Sequence, residues 1–133
     1  MAHRTPIRVR FRELDPYAHV NHSVYVTWFE VGRTEALRDH GILLAGPHAA
    51  GYQFVVSELE IRFRAPAIAD DLVHVESRIT ELRGASSRWF QRVLRNDEVL
   101  AEGTVRIALV GDGGRVVRMP ADMRTQLEAL LSD

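Results

Sequence analysis

Apolar and polar positions set out an order of elements along the chain. Ile7 to Leu14 reads IRVRFREL, in which Ile7, Val9 and Phe11 alternate with Arg8, Arg10 and Arg12. A period of two is that of a half-buried strand. Asp15-Pro16 ends it, since proline cannot donate to a ladder and Asp favours turns. From Ser23 to His40 the period becomes helical, and Gly41 is a stop signal. Val24, Tyr25, Trp28, Phe29, Val31, Gly32 and Ala36 share one broad face. Thr27, Glu30, Thr34 and Arg38 lie opposite, and Val26 with Leu37 forms a second apolar strip. A helix apolar on more than one side is deeply packed. Glu35 falls inside the apolar face, which calls for an ion pair with an Arg.

Ile42 to Gly51 reads as a loop rich in Gly, Ala and Pro. Strands follow. Val55 to Arg64 alternates through Leu59, Ile61 and Phe63, and Val73 to Thr80 through Val73, Val75 and Ile79. Arg88 to Arg95 carries Trp89 and Val93 on one face. Val99 to Val110 carries Val99, Ala101, Gly103, Val105, Ile107 and Leu109. Short turn-like segments (Leu82 to Ser86, Asn96 to Glu98, Gly111 to Gly114) separate the last strands and imply an antiparallel meander. A final helix is expected over Ala121 to Leu131. The order predicts an α+β fold in which a curved antiparallel sheet of about five strands wraps one long helix, so that their apolar faces bury each other. One domain over residues 1–133 accounts for the whole pattern.

Composition narrows the chemistry. The formal net charge of −1 gives no global field for nucleic acid or an acidic membrane. There is no cysteine, which excludes disulfides, thiolate metal sites and a cysteine nucleophile. Every one of the 17 cationic residues is Arg. Schiff-base and lysine-general-base chemistry are therefore impossible, whereas Arg forks suit phosphate. The N-terminal sequence has no signal-peptide run and no segment approaches the roughly 20 apolar residues of a membrane span, so the cytoplasm is the expected location.

The densest polar cluster runs from Asp15 to Tyr25, DPYAHVNHSVY, between the first strand and the long helix. A helix start presents unpaired N–H groups and partial positive charge, which can stabilise a developing oxyanion. A carboxylate beside it can serve as nucleophile or as general base on water. On spacing alone Asp15 is equally a cap or turn residue, and Asn21 or Ser23 reads as the helix N-cap. Asp15, His19 and His22 could also be metal ligands if their segment were helical. Arg62, Arg64, Arg88 and Arg92 alternate on strands and form either a solvated face or a phosphate patch. Trp28, Phe29 and Trp89 read as core, and His3, His40, His48 and His74 as surface or loop residues.

The stretch FRELDPYAHVNHSVYVTWFEVGRTEALR resembles the signature of the 4-hydroxybenzoyl-CoA thioesterase family, the Asp-type hotdog acyl-CoA thioesterases. The likeness is specific over Phe11 to Arg38 and loose elsewhere. It extends to Leu59-Glu60-Ile61-Arg62-Phe63-Arg64-Ala65-Pro66 and the acidic turn Asp70-Asp71. It implies a hotdog fold and hydrolysis of an acyl-CoA or acyl-carrier-protein thioester. It also implies Asp15 as catalytic carboxylate, the backbone N–H of His22 as oxyanion donor and the His22 imidazole as an assistant. Phe11 stands where one branch has a Tyr, and Ala18 where the loop usually has Gly. His19, Asn21, Tyr25, Arg62 and Arg64 are the substrate-binding candidates, with Ser57 and Glu58 as possible lining. No metal or cofactor is implied. The expected assembly is a homodimer or a homotetramer built as a dimer of dimers, with the site at the dimer interface. A hotdog hydratase or dehydratase and a non-catalytic acyl- or CoA-binding module are the competing readings.

Overall fold

The computed structural model describes residues 2–43 and 51–131. Five strands form one sheet: β1 (His3–Arg8), β2 (Gln53–Phe63), β3 (Leu72–Leu82), β4 (Ser86–Arg95) and β5 (Glu98–Val110). The spatial order is β1-β3-β4-β5-β2, with every neighbouring pair antiparallel. The long helix α1 (His22–Asp39) lies against one face, and a short helix α2 (Ala121–Glu128) follows the sheet. This is the α+β arrangement that the order of elements implied, and the hotdog fold that the family resemblance implied.

The core is the helix–sheet interface. Trp28, Phe29 and Ala36 of α1 are buried with Val73, Val75, Ile79, Trp89, Val93, Ala101, Val105 and Leu109 of the sheet. Each large apolar side chain buried in this way contributes about 1.5–3 kcal/mol. Helix and sheet approach closely at Gly32, where a Cβ would stand 2.6 Å from Val75 Cγ1 and 2.8 Å from Ser77 Oγ. Leu37 packs with the main face and Val26 is exposed, so the second strip expected on the helix does not exist as one feature. Glu35 pairs with Arg38 one turn on, as its place on the wheel required.

Three local expectations are corrected. The first strand lies earlier than its alternation suggested: β1 ends at Arg8, and Phe11–Glu13 is a single 3₁₀ turn with Phe11 85% exposed. The cause is Glu13, whose carboxylate accepts the Arg10 backbone N–H at 2.8 Å and closes that turn. In β5 the register slips between Val93 and Leu94 of its partner, so Leu100 rather than Val99 is fully buried. His3 and His74 stand on strands, both partly buried. His40 caps α1 and Gly41 follows at φ +86°, a conformation that favours glycine. His48 and most of the expected loop from Ile42 to Gly51 lie outside the described residues.

The other face of the sheet carries charge in rows. Arg4, Glu76, Arg92, Glu102 and Arg62 are successive cross-strand partners over all five strands. Arg92 bonds Glu76 at 2.7 Å and Arg64 bonds Glu102 at 2.6 Å. Arg62 lies 3.7 Å from Glu60, both well exposed. Alternating signs directly opposite one another stabilise a sheet modestly, and they make this a solvated face over most of its width.

Candidate active site

Between β1 and α1 the chain makes a small closed loop around Asp15. The Asp15 N–H donates to His19 O at 2.7 Å, and the Ala18 N–H to Asp15 O at 3.0 Å. The side chain completes it: Oδ1 accepts the N–H groups of Tyr17 at 2.9 Å and His19 at 3.2 Å. Asp and Asn form such turns because a short side chain reaches the backbone two residues on. Oδ2 accepts no hydrogen bond among the described residues. Asp15 is thus both a turn residue and a carboxylate with one oxygen uncommitted. Ala18 sits at φ +62°, the left-handed region that glycine occupies without strain.

Asn21 is the N-cap of α1, its Oδ1 accepting the Ser23 N–H at 3.0 Å and the Ser23 hydroxyl at 2.9 Å. His22 is therefore the first helical residue. Its backbone N–H has no acceptor among the described residues, at the positive end of an 18-residue helix. Asn21 itself is held by its N–H on Glu13 O at 2.8 Å.

The opposite wall comes from the segment between β2 and β3. The Val20 N–H donates to Ala67 O at 2.9 Å, and the Ala67 N–H donates to the Tyr25 hydroxyl at 3.1 Å. Burial, only partly offset by that hydrogen bond, pushes the Tyr25 phenol up and keeps it neutral. Tyr25 also meets Trp28 and Phe63 edge-on, with ring centroids 5.1 and 5.4 Å apart. Asp71 accepts the Ile68 N–H at 3.0 Å and Arg95 Nη1 at 2.6 Å, and the same guanidinium reaches Pro66 O. The acidic turn seen in the sequence is thus a brace for this wall.

Together these pieces enclose a cleft of about 330 Å³, with Asp15, His19, His22 and Tyr25 on one side and Phe63, Arg64 and Pro66 on the other. Of the residues singled out in the sequence, Asp15, His19, His22, Tyr25 and Arg64 line one space, and Asn21 supports it as cap. Ser57, Glu58 and Arg62 do not reach it within the chain. Ser57 is the residue over which β2 slips its register against β5, and its hydroxyl donates to Arg106 O at 3.3 Å. Glu58 lies 3.8 Å from Arg106. Among the described residues no three His, Asp or Glu side chains come together as metal ligands.

Sequence reasoning missed Glu13. It is 5% exposed, and accepts from the Arg10 backbone at 2.8 Å, Arg10 Nη2 at 2.9 Å and Trp28 Nε1 at 3.2 Å. Burial pushes its carboxyl up, but the hydrogen bonds from Arg10 and Trp28 outweigh this and hold it below the usual range. One signal was available: Glu13 continues the apolar phase of Ile7, Val9 and Phe11, and a carboxylate in that phase is either buried with partners or the mark of a strand that has ended.

A curved five-stranded antiparallel sheet around one long helix defines a protein of the hotdog fold. The comparisons agree. The family model described as the thioesterase-like superfamily matches residues 9–127, and the chain belongs to that family. It is 34% identical over 130 residues to the acyl-CoA thioesterase YbgC of Haemophilus influenzae, covering 94% of this chain and 93% of the relative. Among solved structures, a hypothetical protein of Thermus thermophilus superposes with a TM-score of 0.92 at 34% identity over the whole of both chains. A probable thioesterase of Bartonella henselae gives 0.85 at 34% identity, covering 90% of this chain and 100% of that one.

Proposed function

We propose that this thioesterase hydrolyses an acyl-CoA or acyl-carrier-protein thioester to free acid and thiol, with Asp15 as the reacting carboxylate and the backbone N–H of His22 as oxyanion donor. One observation carries the reading: Asp15 is fixed through Oδ1 by two backbone N–H groups, while Oδ2 and the first N–H of α1 remain uncommitted on the same cleft wall. The thioester carbonyl docks on that N–H, which gains strength as the oxygen becomes negative. Asp15 then either attacks the carbon, expelling thiolate and leaving a mixed anhydride that water hydrolyses, or takes a proton from the water that attacks. Both routes consume one water and yield acid and thiol, and neither calls for a cofactor. The His22 imidazole is a second donor within reach of the same space. His19 and Tyr25 shape the acyl entrance, and Arg64 at its rim supplies positive charge.

The enzyme acts as a homodimer, which can pair further into a tetramer. β2 is an edge strand of 11 residues with Val55, Val56, Leu59 and Phe63 all exposed. Long apolar edges invite a second strand. On that arrangement Ser57, Glu58 and Arg62 belong to the partner's cleft rather than to their own. A cytoplasmic location goes with this reading.

The test is thiol release across a panel of acyl-CoA substrates, comparing wild type with Asp15→Asn. Asparagine keeps the Oδ1 acceptor and hence the loop. Turnover is expected to fall by about 10²–10⁴-fold or more, with unchanged folding. Near-wild-type turnover would sink the role given to Asp15.

A further inference from the structure

A second cavity lies farther along α1. It measures about 160 Å³ and lies between Arg33, Thr34 and Leu37 of the helix and Phe54, Val56, Trp89 and Ile107 of the sheet. Most of its wall is apolar. Arg33 is one of three polar residues in it, with Glu30 and Thr34. Its Nη1 donates to Gln91 Oε1 at 3.0 Å, and among the described residues it has no carboxylate within ion-pair distance. Gln91 is itself fully buried and committed elsewhere, its Nε2 donating to Phe29 O at 2.9 Å and Ser77 Oγ at 2.8 Å. The guanidinium is therefore gripped on one side by a fixed neutral amide, and it lines an apolar space on the other. Burial pulls its pKa down to about 10, with Glu30 opposing, so it remains a cation at neutral pH. Glu30 lines the same cavity but is exposed and makes no ion pair with Arg33.

A half-buried cation with one neutral acceptor is an incomplete pair, and guanidinium matches carboxylate in a bidentate fork. A cavity of about 150 Å³ holds a benzene-sized group. The space therefore suits a carboxylate on a short apolar stem rather than a bare ion. Its position adds direction. Phe63, at one end of β2, meets Tyr25 near the start of α1, while Phe54, at the other end, lines the cavity with Arg33, and Leu59 and Val56 between them in the strand are exposed. Arg33 lies roughly 16 Å along the helix axis from His22, at 1.5 Å per residue.

We propose that the Arg33 cavity binds a carboxylate carried on an apolar stem. Resting on the thioesterase reading, that carboxylate is the far end of an acyl chain whose thioester lies at Asp15; the other source of the same chemistry is a separate free carboxylic acid. Arg33 is then a specificity-determining residue, and the preferred substrates are thioesters of dicarboxylic acids.

Two measurements test this, using full-length protein. The first is calorimetric titration of wild type, Arg33→Met and Val56→Phe with octanoate and with octanamide. Val56→Phe fills the cavity from an exposed strand position and leaves the Arg33–Gln91 contact in place, so it stands if Arg33→Met fails to fold. Wild type is expected to hold octanoate about tenfold or more tightly than octanamide, the worth of one charge-assisted hydrogen bond. Either substitution removes that difference. Equal affinity for the two probes, or octanoate binding that survives both substitutions, overturns the proposal; the second result would also place octanoate in the Asp15 cleft. The second measurement is kcat/KM for a ladder of ω-carboxyl acyl-CoA thioesters against their methyl-terminated counterparts. A preference for the ω-carboxyl series that is lost in Arg33→Met assigns the site to the substrate's own chain. Octanoate selectivity without that preference assigns it to a free acid. If no thioester is cleaved, the thioesterase reading fails while the binding result stands by itself.

Discussion

The indole of Trp28 donates to the carboxylate of Glu13 at 3.2 Å inside the core. The contact joins the helix to the turn that precedes the site, fifteen residues earlier in the chain. The same carboxylate takes two donors from Arg10, and the Glu13 carbonyl takes the Asn21 N–H. One buried acid therefore fixes the exit of β1, the start of α1 and the ends of the loop that carries Asp15.

Glu13 makes acid stability a readout of this knot. Its folded pKa lies below the unfolded value, so its contribution is present above the unfolded pKa of about 4.3 and is lost as pH falls through the folded value. Glu13→Gln leaves the Arg10 donors poorly matched, and should cost about 1–3 kcal/mol at neutral pH. It should also flatten the fall of stability below about pH 5 relative to wild type. Urea unfolding at a series of pH values measures both, and parallel profiles for the two proteins would contradict the assignment.

His22 allows the backbone donor to be removed without removing the helix. Proline is well suited to the first helical position, and Asn21 already has φ −59° and ψ 137°, the extended conformation a following proline requires. His22→Pro is expected to keep its melting temperature and lose about 10²–10³-fold in kcat, the cost of one oxyanion donor. His22→Ala keeps the N–H and reports the imidazole alone, with a smaller loss. Equal losses in the two variants would transfer the role from the backbone to the side chain.

Ala18 pays a conformational penalty that glycine would not. The left-handed region costs a non-glycine residue about 1–2 kcal/mol, against about 0.5–1 kcal/mol for glycine's greater unfolded freedom. Ala18→Gly should therefore stabilise by about 0.5 kcal/mol, a rise of about 2 °C in Tm for a chain of this size. Calorimetry settles the sign; a lower Tm would mean that the loop's tight dihedrals depend on the methyl group.

The proposed dimer has its interface on the β2 edge. Leu59→Lys places a charge on an exposed apolar edge position, the means by which monomeric proteins keep strands apart. Sedimentation should show wild type as a dimer or larger and the variant as a monomer. A wild-type monomer at micromolar concentration would remove the dimer from the reading.

Much of this was legible in the sequence wherever the cause was local. The helix begins and ends within a residue of its expected bounds, because Asn21 caps it and Gly41 supplies the left-handed turn. The inward faces of β3, β4 and β5 follow period two except at the bulge near Leu100. The first strand was misjudged because Glu13 and Arg10 offer the backbone a hydrogen-bonded turn that competes with the ladder. In the site, Asp15 and His22 stood out because loop and helix start are adjacent in sequence. Arg64 is a substrate-binding candidate in the sequence as well, but Ala67 and the Asp71–Arg95 pairing do not stand out there, since only sheet pairing brings them to the loop.

The sequence by itself determined the elements, the buried face of α1 and the presence of a carboxylate next to a helix start, all consequences of residue spacing and backbone hydrogen bonding within a few positions. The tertiary structure decided which carboxylates are enclosed by donors and which keep an oxygen free of them. Glu13 and Asp15 are two residues apart and chemically alike, yet Glu13 is enclosed by Trp28 and Arg10 while Asp15 keeps an oxygen on an open cleft. It also decided that Arg33, an ordinary helix cation in the sequence, faces Gln91 across fifty-eight residues and borders a cavity. Burial and long-range pairing depend on how the sheet closes over the helix, and no local pattern encodes that.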